Sequence, residues 1–165
     1  MSNEQPMPEC QHGLSEISVE VRTNFGVVTV PGLAHEACPG LAVTMNPFGV
    51  FSVTQIRSGL KLCNIYQRAS SALLAMSWWA LIANAENKSW KEMGPAEASV
   101  MISKASDKPV PFDGCTSTTK GVTRKMTVGE WFQHQRIPMH DEFPWEETDP
   151  FETAIDNFER IEVPV

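Results

Sequence analysis

Apolar and polar residues alternate strictly along Ile17-Ser18-Val19-Glu20-Val21-Arg22, the two-residue period of a strand buried on one face. Asn24 to Gly26 suits a turn and Val27 to Val30 a second strand. Pro31-Gly32 should end it, since proline lacks a backbone donor and glycine favours turns. Residues 33–40, which include Pro39 and Gly40, read as a loop. Leu41 to Met45 reads as a third strand, stopped by Asn46-Pro47. Val50 to Arg57 and Leu60 to Tyr66 form the clearest hairpin, joined through Ser58-Gly59, where glycine supplies the positive φ of a tight turn. Arg57 and Lys61 would make its tip basic.

The period then changes. From Ala69 to Ala85 the apolar residues Leu73, Leu74, Met76, Trp78, Trp79, Leu81 and Ile82 fit a helix and spread over most of its circumference. Such a helix must be covered on more than one side, by a sheet and by a second layer from the C-terminal half or from a partner. Residues 88–105 predict one or two short helices, with Ser89 capping the first and Pro95 opening the next. Residues 106–125 show no clean period. Thr127-Val128-Gly129-Glu130 has the form of a capping box. Asp149-Pro150 opens a last helix on which Phe151, Ala154, Ile155, Phe158 and Ile161 make one apolar stripe, opposite Glu152, Asp156 and Glu159.

These elements predict an α+β fold. An antiparallel sheet over residues 17–66 packs on a buried helix at 69–85, and several shorter C-terminal helices cover the other side. The 165 residues, 42% of them hydrophobic, suffice for one domain with a real core, set at 16–165 behind a polar, proline-containing tail at 1–15. No apolar run approaches the roughly 18 residues of a membrane span. The N-terminus lacks the basic and apolar regions of a secretory signal. Cys10, Cys38, Cys63 and Cys115 are widely spaced, so reduced thiols in a cytoplasmic protein are expected.

The charge is unevenly placed. Asp141 to Glu162 holds nine acids against the single base Arg160, whereas the remaining chain carries 12 bases and 11 acids. All of the net charge of −7 therefore resides in one segment, which carries −8 against +1 for the rest. An acidic face that simply meets water is the plain reading. Phe143, Pro144 and Trp145 lie within the run, however, and an aromatic anchor ringed by charge has the anatomy of a protein interface. The predicted partner-binding residues are Glu142, Phe143, Trp145, Glu146, Glu147, Asp149, Glu152, Asp156 and Glu159. Their partner would be a basic protein surface, since carboxylates speed encounter with cations and repel duplex nucleic acid.

Other chemistries are less well supported by the sequence. Cys10, His12, His35 and Cys38 supply a zinc-like donor set, but at unusual spacing and partly within the tail. His134, His140 and Asp141, with Cys115, could line an enzyme or small-ligand pocket. The run from Asp113 to Gly121 fails the phosphate-loop pattern because Lys120 precedes its glycine. A mild basic excess over residues 88–136, together with the basic hairpin tip, would suit nucleic acid, against the overall charge. No cofactor, metal or membrane is implied, and homodimerisation stays open. Small, acidic and without a catalytic motif, the chain resembles in style the accessory anti-defence inhibitors of phages and plasmids. Some of these act as nucleic-acid mimics, presenting carboxylates where phosphates would sit. That resemblance implies a non-enzymatic inhibitor of a nucleic-acid-handling protein.

Overall fold

A computed structural model describes residues 13–46, 49–109, 116–130 and 150–161. Five strands form an antiparallel meander in chain order: β1 (Leu14–Thr23), β2 (Gly26–His35), β3 (Leu41–Met45), β4 (Phe51–Gln55) and β5 (Lys61–Tyr66). Helix α1 (Ala69–Ala85) follows, then α2 (Pro95–Ser106), a separate hairpin of β6 (Thr116–Thr119) and β7 (Val122–Lys125), and helix α3 (Pro150–Arg160). The fold is α+β, as the sequence predicts.

Helix α1 occupies the predicted residues and is covered twice. Leu41, Val43, Val53 and Leu62 from the sheet join Ala72, Leu73, Met76 and Trp79 in the main core, and Ala154 and Phe158 of α3, with Ile161 just after it, complete it. The second layer thus comes from the chain's own C-terminal helix. Trp79 and Trp90 meet edge to face, with ring centroids 5.9 Å apart, and the Trp90 indole N–H donates to the Trp79 carbonyl at 2.9 Å. Trp90 thus buries its apolar body while its one donor is satisfied.

The sheet also curls on itself. Val19 and Val21 of β1 pack with Ala42 of β3, two strands away, in a second small core. The Arg22 N–H donates to the Gly59 carbonyl at 3.0 Å, tying β1 to the β4–β5 connection. Both faces of β3 and β4 are consequently buried, and Thr44 and Thr54 satisfy each other through a 2.7 Å hydroxyl contact inside. Gly32 permits the curl: a Cβ there would lie 2.9 Å from Val19 Cγ2.

Four local expectations are corrected. Pro31-Gly32 does not end β2, which continues to His35 opposite Leu14. Strand β3 pairs only with Gly32 to Ala34, so Pro31 has a neighbouring strand on one side alone and its missing donor is tolerated. Strand β1 begins at Leu14, inside the expected tail; residues 1–12 lie outside the described residues. The β4–β5 connection is longer than two residues, because β4 and β5 leave Ile56 to Leu60 between them. The Gly59 N–H bonds the Gln55 carbonyl and the Gln55 N–H bonds the Leu60 carbonyl, each at 2.9 Å. The region 106–125 contains the hairpin β6–β7, turned by Lys120 and Gly121, both at positive φ.

Candidate functional site

Helix α3 carries the described part of the predicted binding surface. Pro150 opens it, Glu152 lies in its first turn and Arg160 in its last, an order that complements the helix dipole. Ala154, Phe158 and Ile161 are buried against α1, and the Phe158 ring stacks on His35 with centroids 4.1 Å apart. Asn157 is buried as well, and its amide donates to the Ser77 hydroxyl of α1 at 2.9 Å. Those contacts fix the helix's rotation. Glu152, Asp156 and Glu159 are left exposed, within an arc of about 60° at 100° per residue.

Three carboxylates elsewhere meet the chain's own cations: Lys88 lies 3.8 Å from Glu97, Lys108 pairs with Glu86, and Arg124 grips Glu130 through two bonds of 2.8 and 3.1 Å. Among the described residues no Lys or Arg pairs with Glu152, Asp156 or Glu159. The remainder of the predicted surface, Glu142, Phe143, Trp145, Glu146, Glu147 and Asp149, lies outside the described residues.

The competing chemistries lose support where their residues are described. His35 accepts the Ala37 N–H on Nδ1 at 3.0 Å, and its Nε2 crowds Gly13. Burial pushes the Cys38 thiol well above the ordinary cysteine range. Cys38 is buried in the main core and His35 stacks on Phe158, while Cys10 and His12 lie outside the described residues. Cys115, His134, His140 and Asp141 also lie outside them. Arg57 does not make a free basic tip, because its guanidinium donates to the Glu92 carbonyl at 2.6 Å. Lys88, Lys108 and Arg124, three of the eight bases in the tract, pair with acids of the chain. Among the described residues no helix is long and apolar enough to cross a membrane.

A feature that the sequence pattern did not reveal is a cleft of about 760 Å³. It lies between the turn after β2, the C-terminal end of α1, residues 87–93 and the end of α3. One wall is the helix stop itself. The Lys88 N–H bonds the Ala83 carbonyl and the Asn87 N–H bonds the Asn84 carbonyl, with Asn87 at φ +55, the two-bond motif that closes a helix through a left-handed residue. Compared with protein-family models, with curated proteins and with solved structures, the chain finds no significant match.

Proposed function

We propose that this chain is a non-enzymatic binding protein whose acidic C-terminal surface engages a basic protein surface. The favoured partner is a nucleic-acid-handling protein, which the chain would inhibit by presenting carboxylates in place of phosphates, in the manner of a phage or plasmid anti-defence inhibitor. One observation carries this reading: α3 is anchored by its apolar face while Glu152, Asp156 and Glu159 project together and form no ion pair among the described residues, Arg160 being the base on the same helix. Like charges gathered on a rigid helix repel each other, and a cationic partner relieves that repulsion. Fixed on a packed element, they need little ordering when the partner arrives.

The test is capture of proteins from an extract of the native host, followed by competition with duplex DNA. Under this reading DNA displaces the captured protein, because both ligands address one basic site. Capture should also weaken several-fold as salt rises from about 50 to 500 mM, where the screening length shortens to a few ångströms. A captured protein that binds DNA and this chain together would rule out occlusion of its nucleic-acid site.

A further inference from the structure

The cleft beside the α1 terminus has the composition of a ligand site. Its floor is apolar, built from Ala37, Ala80, Ala83, Met93 and Ile161, with the Trp90 ring system beside them. The space exists because three of these side chains are single methyl groups. Its volume of about 760 Å³ lies in the range that accommodates small organic ligands. The rim is polar and exposed. Asn84 and Asn87 present carboxamides, and Glu92 and Glu97 present carboxylates against the one ammonium of Lys88. Lys88 leans on Glu97 at 3.8 Å, and the Glu92 carboxylate forms no ion pair among the described residues; Arg57, which bonds the Glu92 carbonyl at 2.6 Å, is not one of the residues that line the cleft. An apolar floor under a rim with a net negative charge selects for an apolar body carrying a positive head.

We propose that this cleft binds a small amphiphile, an aliphatic or aromatic body with an ammonium head. The body covers the alanine floor, and the head meets Glu92 and Glu97 with the carboxamides of Asn84 and Asn87 as further acceptors. The site is independent of the acidic face of α3, which points away from α1.

The full chain can be titrated with octylammonium, octanol and octanoate, three probes that share one body and differ in head charge. The readout is the NMR resonance of the indole N–H of Trp90, a residue that lines the cleft. Saturable shifts are expected for octylammonium and octanol, with the ammonium roughly two- to fivefold tighter, as an exposed ion pair provides. Octanoate should be the weakest. Ala83→Leu fills the floor and should remove saturable binding of all three probes. The exposed double variant Glu92→Gln/Glu97→Gln, which does not disturb the core, should abolish the ammonium preference and improve octanoate beside the freed Lys88. The proposal is overturned by the absence of saturable shifts in the wild type. It is equally overturned by octanoate binding as tightly as octylammonium, or by an ammonium preference that survives in the double variant.

Discussion

Gly40 holds φ +90 where its α-carbon presses on the next segment: a Cβ would stand 2.2 Å from the Lys91 backbone nitrogen. Gly26, at φ +110 in the β1–β2 turn, has nothing within 4 Å. The same substitution should therefore differ sharply at the two positions. Gly40→Ala adds a backbone clash to conformational strain and should cost about 3 kcal/mol or more, lowering the melting temperature by roughly 6–12 °C. Gly26→Ala carries strain alone, about 1 kcal/mol. Thermal melts of both variants check this, and equal losses would contradict it. Gln55 is the second residue on which the architecture turns. Its buried amide donates to the carbonyls of Trp90 and Met93, each at 2.8 Å, and its oxygen accepts the Ser58 hydroxyl. Gln55→Ala strands two buried carbonyls and should cost about 2–4 kcal/mol in urea unfolding, with the slope unchanged. Neither role was legible beforehand. A glutamine at the end of a strand reads as a polar edge residue, and only the folded-back segment at 90–93 buries it.

Among the elements, legibility followed periodicity. Strand β3 and helix α1 matched their sequence limits because strong apolar runs were bounded by clear stops, Asn46-Pro47 for the one and the polar run Glu86-Asn87-Lys88 for the other. Strand β2 runs past Pro31 to His35, because proline ends a strand only where neighbours lie on both sides. Hairpin β6–β7 escaped notice because Thr116 to Lys125 has too few apolar residues to show a period, and Lys-Gly is an uncommon turn pair. The capping box forms as its sequence predicts: the Glu130 N–H donates to the Thr127 hydroxyl oxygen at 3.2 Å. Its connection to β7 has no signature in the local sequence. The Arg124 guanidinium holds the Glu130 carboxyl below the usual glutamate range. Above the ordinary glutamate pKa this carboxylate is charged in folded and unfolded chains alike, and the pair contributes fully. As pH falls the unfolded chain protonates first, so the contribution shrinks and is lost once pH passes the depressed folded value. A carbon-13 titration of the Glu130 carboxyl should show that depression, and Arg124→Gln should return it toward the ordinary range. A titration unmoved by Arg124→Gln would contradict the link between β7 and the cap.

For the molecule as a whole, the sheet, α1 and α3 make a frame that turns one acidic helix face outward. The charge asymmetry was readable by counting, and the rotation of α3 was readable from the spacing of Ala154, Phe158 and Ile161. The cleft was not, since it arises where four segments distant in sequence meet around alanines, and no local pattern records a space. What ties the fold to a role is the exposed carboxylate row, and it can be tested without disturbing the frame. Replacing Glu152, Asp156 and Glu159 together by Lys alters only exposed side chains, so circular dichroism and the melting transition should stay close to those of the wild type. The decisive comparison is quantitative capture of partner proteins by wild type and by this triple variant from the same host extract at low salt. The account predicts that a basic protein retained by the wild type is lost from the folded variant. Retention of the same protein to the same extent by both would contradict it.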